Sequence, residues 1–552
     1  MPFSLSNVQF LHPKPSSVVM TMLRCVVAVA VWIGSQVAWA QNGESGDHHF
    51  MPIEQYQGAE QKGSMISAHT KDQHSGHSLG LSDEVIPFES FGEGLAPRQR
   101  TLTEVIDDAA YPENVERREM LQARAKDDVE TAVPERKSLF GKDRFLSSGP
   151  IDEGIEISTG ATWRPSFLLF GNFRSALQSF EAAGGERTNE WANRLDIFGN
   201  LYLSSTERFL FGFRPLDEDS EFTGVSGGRG IADEGFTNGL NFEPTTFFFE
   251  GDFGEIFPNL DPYDHRHLDY QFSIGRQPLI LQDGIMANDD MDMLGVTRHN
   301  MFRMNASSTR LSAFFGFNEL HRNNGVRDSR GRLIALSGNF DYPNATFEAD
   351  AAYVDGSDSL GGAGAYFGIG HRAQFGYWHS TFRVNASFAL SSARAQTDAV
   401  ADGWLMTHQM SRVMPYNDDV LTLSAFGEID NYTSAARGPD TGGPLGGFSI
   451  LQRAVGIGTY GPAIEENGGD LLGFEIAYQH FLDEEERKQI LIAGGASGSY
   501  DSSRYDSLTF AISAQYQQSL SDNLTWVIGG FGTITEDSDK GFGIRTELNR
   551  KF

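Results

Sequence analysis

From about residue 160 to the C-terminus, apolar side chains recur on every second position through stretches of ten or more residues. In LLGFEIAYQHFL (471–482), Leu472, Phe474, Ile476 and Tyr478 alternate with Gly473, Glu475, Ala477 and Gln479. SLTFAISAQYQQ (507–518), NEWANRLDIFGNLYL (189–203), LDYQFSIG (268–275) and ATFEADAAYV (345–354) show the same two-faced pattern. A period of two belongs to β-strands, whose successive side chains point to opposite faces. Strand length then separates the candidate folds. Sandwich strands usually run ~5–6 residues, whereas strands that cross a membrane need ~9–11. In a closed barrel the apolar face meets lipid, the mixed polar face meets a watery lumen, and no strand edge is left open to the lipid. The expected fold is all-β: a large antiparallel transmembrane β-barrel.

The N-terminal part has a different character. MLRCVVAVAVWIGSQVAWA carries an Arg, a short apolar run and Ala38-Trp39-Ala40, the small-x-small pattern of a cleavage site. Residues 1–40 therefore read as a signal peptide, and Gln41 as the mature start. The sole cysteine, Cys25, lies within the leader, so no thiol is expected in the mature chain for disulfides, metal ligation or catalysis. Past residue 41 no apolar run approaches the ~20 residues of a spanning helix. Residues 41–150 read as a polar, largely disordered extension with one charged helix at 113–131. Its His48, His49, His74 and His77 supply imidazoles without a defined metal geometry. Residues 151–552 read as the barrel.

The turns alternate short and long when followed back from the C-terminus. EDSDKG (536–541) falls at one end, SLSDN (519–523) at the other, YDSSRYDS at the first and DEEER (483–487) at the second. Outer-membrane barrels have short periplasmic turns and long outer loops. The stretch NYTSAARGPDTGGPLGG (431–447) is long where a short turn is due, which suggests a further strand. Counting gives eighteen strands, or sixteen, since both chain ends in the periplasm require an even number.

Charge limits the partners. The net charge of -31 excludes nucleic acid, whose phosphates need a surplus of Lys and Arg. Strand parity turns Arg174, Arg194, Arg310, Arg383 and Arg545 inward, with Asp196, Asp269, Glu348, Asp350, Glu428, Glu475 and Glu547. Five basic residues against seven acidic make a mixed pore lining, and the acidic loops favour cations at the mouth. No cofactor or resident metal is expected. Asp283, Asp289, Asp290 and Asp292 are a candidate calcium cluster, although the spacing of a known calcium loop is absent. No GxSxG motif occurs. His371, His379 and His408 lie in strand regions without a convergent triad around Ser380, so no enzyme is expected.

The stretch FSIGRQPLILQDGIMANDDMDMLGVTR (272–298) reads as a strand ending at Gly275-Arg276-Gln277, broken by Pro278 and followed by an acidic loop. It resembles a segment of the alginate-export family of outer-membrane barrels. The resemblance implies an eighteen-stranded porin in the bacterial outer membrane. It would sit among lipids and lipopolysaccharide and pass a small solute or polysaccharide without chemical change. A polyuronate pore should be rich in Arg and Lys, and this lining departs from that. As in bacterial outer-membrane proteins generally, the terminal Phe552 would be read by the barrel assembly machinery. Two other functions stay open: a non-conducting docking platform plugged by residues 41–150, and an outer-membrane hydrolase.

Overall fold

The computed structural model describes Leu139 and residues 153–552, apart from 219, 229–234, 264, 266, 303–304, 392–398, 416, 466–468, 484, 501–507 and 537–538. The expected signal peptide, Cys25, the helix expected at 113–131, the histidine pairs and all of the expected extension before 151 except Leu139 lie outside the described residues.

Eighteen antiparallel strands close into one barrel. They are β1 (Ser166–Glu181), β2 (Thr188–Tyr202), β3 (Arg208–Phe213 continued by Glu221–Gly228) and β4 (Gly235–Thr237 continued by Pro244–Asp252). Then come β5 (Gln271–Leu281), β6 (Ala287–His299), β7 (Ser308–Phe317), β8 (Arg332–Tyr342), β9 (Ala345–Asp355), β10 (Gly364–Phe375) and β11 (Trp378–Ala389). The wall is completed by β12 (Gly403–Val413), β13 (Val420–Asp430), β14 (Leu471–Phe481), β15 (Lys488–Ser499), β16 (Thr509–Ser521), β17 (Leu524–Thr535) and β18 (Lys540–Lys551). β18 closes on β1, from Phe542 opposite Glu181 to Lys551 opposite Asn172. Both chain ends of the barrel therefore share one rim, here called the near end.

The outer surface is apolar. Leu177, Leu336, Ile369, Phe474, Phe510, Ile512 and Ile544 are each more than half exposed. A water-soluble monomer rarely exposes so continuous an apolar surface; a membrane barrel requires it. Tyr270, Tyr342, Trp378, Tyr516 and Trp526 lie toward the near end and Trp191, Tyr353 and Trp404 toward the far end. These are the two levels at which amphipathic rings sit in a bilayer.

Phe552 finishes the seam. Its backbone N–H donates to Gly171 O and its carbonyl accepts from Gly171 N, both at 3.0 Å. Its ring covers Gly171, where an added Cβ would stand 2.2 Å from Asp196 O of β2 and 2.7 Å from the ring. Gly171→Leu should therefore press on the β1–β2 ladder and displace the terminal ring, at a cost of about 1–3 kcal/mol of overpacking. Heat-dependent gel mobility of the refolded barrel measures this, and an unchanged transition would reject the close packing at Gly171.

Two readings of the sequence need correction. Among its described residues the segment 431–470 holds no extra wall strand; it connects β13 to β14 at the far end. Nor does Pro278 end its strand. β5 runs on to Leu281, and Asp289, Asp290 and Asp292 lie on β6 rather than in a loop. The reason is that β5 loses its other neighbour: pairing with β4 stops at Arg276 opposite Phe247. Beyond that point β5 is an edge strand, where a proline's missing N–H breaks no ladder. Gly275 marks the departure. Its φ is +126° and a Cβ would lie 2.2 Å from Phe247 O, so only glycine fits where the hairpin leaves the wall.

Candidate functional site

The lumen is built by two segments that fold into it. The first is the tip of the β5–β6 hairpin. Pairing of β6 with β7 begins only at Met293 opposite Gly316, so residues 277–292 stand free of the wall and lean inward. Gln282 and Asp283 at the turn both have positive φ, 52° and 54°. Such backbone persists in non-glycine residues only when the surroundings fix it, and here side chains do so. Asp283 forms ion pairs with Arg372 and Arg383. Arg383 Nη1 also donates to Glu348 Oε2 at 2.6 Å and to Gln282 Oε1 at 3.3 Å. Gln282 Nε2 donates to Asp350 Oδ2 at 2.6 Å. The turn is thereby tied to the inner faces of β9, β10 and β11.

The second segment is the connection 431–470. Ala436 and Arg437 pair in parallel with Ala287 and Asn288 of the hairpin. Ser434 Oγ donates to Ile285 O at 2.6 Å, and Arg437 donates to Gly284 O. Further along, Leu451 N donates to Glu475 Oε2 at 2.7 Å. Arg174 Nη2 donates to Val455 O at 2.9 Å, and Arg194 Nη1 to Gly456 O at 2.7 Å. Leu451 and Ile464 pack on Ala477, Ala493 and Ala511 of the wall, and Ile457 packs on Ala176 and Ala192. The segment thus runs across the lumen from β13 to the β1–β2 wall.

The inward assignments can now be placed. Arg174, Arg545 and Glu547 form one cluster, with Arg174 Nε 2.7 Å from Glu547 Oε1 and Arg545 also on Glu547. Arg194 and Asp196 form a second with Arg214 and Asp440. Glu348, Asp350 and Arg383 surround the hairpin turn. Glu428 Oε1 accepts from Tyr432 N at 2.8 Å, and Glu475 caps Ile450 and Leu451. Arg310 stands with Glu348 and Asp350 on a luminal cavity of about 180 Å³. Asp269 is the exception: it is exposed and precedes β5, in the connection 253–270 at the near rim. Alternation simply continued past the end of the strand.

Sequence reasoning missed Arg214 and Asp440, which lie outside the strands where parity gives no direction, and Arg372, which stands on the inward parity of β10. The four aspartates of the proposed calcium cluster do not converge. Asp283 goes to the wall arginines, Asp289 to His321 at 2.8 Å and Asp292 to Arg276 at 3.0 Å. Burial pulls the His321 imidazole down, but Asp289 and Glu319 outweigh it and hold it above its ordinary value. Ser380 Oγ lies 3.0 Å from His408 Nε2. That pair sits on the outer face, within ladders that engage the strand's backbone N–H groups on both sides, so no oxyanion hole accompanies it.

No family model matches the chain, and no curated protein matches it. Solved structures with a similar fold include OpdK of Pseudomonas aeruginosa with vanillate, at 9% identity and TM-score 0.45, covering 70% of this chain and 98% of that one. OccK8 (OprE) of the same organism gives 9%, 0.48, 70% and 98%. A BenF-like porin from Pseudomonas fluorescens Pf-5 gives 9%, 0.48, 70% and 98%. Closure of eighteen strands around a polar interior, behind an apolar outer band, makes the chain a bacterial outer-membrane β-barrel.

Proposed function

We propose that the barrel is a channel passing small solutes by passive diffusion, with the near end facing the periplasm and a mild preference for cations. One observation carries the reading. The inward-folded segments are held largely by ion pairs and hydrogen bonds, and they leave a polar cavity against β7–β9 instead of a dry core throughout. Arg174, Arg194, Asp196, Arg310, Glu348, Asp350, Arg383, Glu428, Glu475, Arg545 and Glu547 line or constrict the path, and Asp269 belongs to its periplasmic rim. The outer band would contact lipid and lipopolysaccharide, and Phe552 would serve recognition by the assembly machinery. A glycan cargo, and membership of the alginate-export group, have only the 272–298 segment in their favour.

A second reading has its own support: apolar clusters inside the barrel, such as Leu279, Met291, Leu333 and Tyr366, suit a sealed platform. Planar-bilayer recording of the purified protein distinguishes the two. The expected result is discrete conductance with a reversal potential shifted toward cations in a salt gradient, because clustered carboxylates raise local cation concentration. A silent bilayer from folded protein favours the platform, and anion selectivity overturns the charge assignment.

A further inference from the structure

The cavity beside the hairpin turn has the charge arrangement of a zwitterion site. Its floor consists of two cross-strand rows. Arg310 pairs with Asn339, which pairs with Glu348; Ser312 pairs with Ser337, which pairs with Asp350. Leu281 and Phe314 add an apolar side.

Most charges around it are already matched. Asp283 and Glu348 are held by Arg372 and Arg383. Two groups are left over. Arg310 has no ion pair or hydrogen bond among the described residues, and it faces the cavity. Asp350 is 7% exposed and lies beside the hydroxyl of Ser337, its cross-strand partner; Gln282 satisfies its Oδ2, while Oδ1 is buried without a hydrogen-bond partner at bonding distance. A buried carboxylate oxygen left unpaired is costly, and an incoming ammonium would remove that cost. Strand and residue spacings put the Cα atoms of Arg310 and Asp350 roughly 12 Å apart, two strands across and one row along. Both line the same cavity of about 180 Å³, a volume that suits a short molecule.

The geometry points to a binding site for a small aliphatic zwitterion. Its carboxylate rests on Arg310, its ammonium on Asp350 Oδ1, and its methylenes against Leu281 and Phe314. Asn339, Ser312 and Ser337 line the floor between the two charges. Its meaning for transport rests on the channel reading, but binding itself does not.

The test uses the full mature chain and three probes of matched length: 4-aminobutyrate, butyrate and butylammonium. Titration calorimetry in detergent is expected to show 4-aminobutyrate binding at least about tenfold tighter than either half-molecule, the factor that one retained polar contact supplies. Arg310→Gln and Asp350→Asn should each remove that advantage. Equal binding of all three probes, or no binding, overturns the inference without requiring any variant to fold. In bilayers, current interruptions by 4-aminobutyrate alone are expected. Conductance without binding rejects the site and keeps the channel. Binding without conductance keeps the site and rejects the channel.

Discussion

Replacing Arg383 with alanine is expected to release the hairpin turn, destabilise the barrel and widen the path. Arg383 is 1% exposed and joins Asp283, Glu348 and Gln282 from one guanidinium. Removing it leaves Glu348 only Arg372, at 3.6 Å, and withdraws one of the two cations holding Asp283. Breaking a buried ion pair by removing one partner typically costs about 3–5 kcal/mol. The lower end applies here, because the Asp283 side chain is 50% exposed and keeps water after the loss. The two positive-φ residues at the turn would then be held only by Arg372 and Asp350, and partial relaxation toward ordinary backbone loosens the hairpin from the wall. Urea titration of the liposome-reconstituted barrel reads the stability. Single-channel recording should show larger and noisier conductance. Arg383→Lys should recover only part of both effects, since an ammonium cannot reproduce the guanidinium fork. Wild-type stability and conductance in the alanine variant would mean that the turn is held by something other than this cluster.

The wall was legible in the sequence because one physical rule governs it. A membrane strand must alternate, and Leu472, Phe474 and Ile476 announce their face whatever their neighbours are. The contents of the lumen were not legible, because parity says that a side chain points inward and nothing about what it meets there. Glu428 and Glu475 read as pore lining, yet they cap backbone N–H groups of the 431–470 segment. That segment suggested a further strand because 431–447 is too long for the short turn due there, and Phe448, Ile450 and Leu451 follow it as an apolar run. In the fold these residues reach the inner wall, and Leu451 covers alanines there. A signal was available: Ala176, Ala192, Ala477, Ala493 and Ala511 occupy inward positions where a wet lumen would carry polar groups. Small inward residues mark where a wall makes room for another segment. Likewise, Gly275 followed by Pro278 signalled a strand leaving its sheet, since each residue suits an edge rather than a ladder with partners on both sides.

Adjacent lysine substitutions in β16 should behave oppositely. Ile512 is 63% exposed on the outer face of β16, four residues toward the far end from the near-end aromatic Tyr516. Ser513, the next residue, points inward, opposite Ala493 of β15 and Phe531 of β17. In lipid, a lysine near the midplane costs about 2–4 kcal/mol, so Ile512→Lys should shift the folding equilibrium by roughly thirty- to a thousand-fold at 1.4 kcal/mol per decade. Ser513→Lys places the same charge in the lumen, where its ammonium can stay hydrated, and should change stability by less than about 1 kcal/mol. The paired design removes ambiguities of strand propensity, because both changes introduce the same residue into one strand. It also separates the membrane barrel from a water-soluble sheet. If the outer face met water, Ile512→Lys would be nearly neutral and the inward change would be the damaging one. Urea-dependent tryptophan fluorescence in liposomes measures both variants. A reversed order of the two costs would mean that the apolar faces are turned away from lipid.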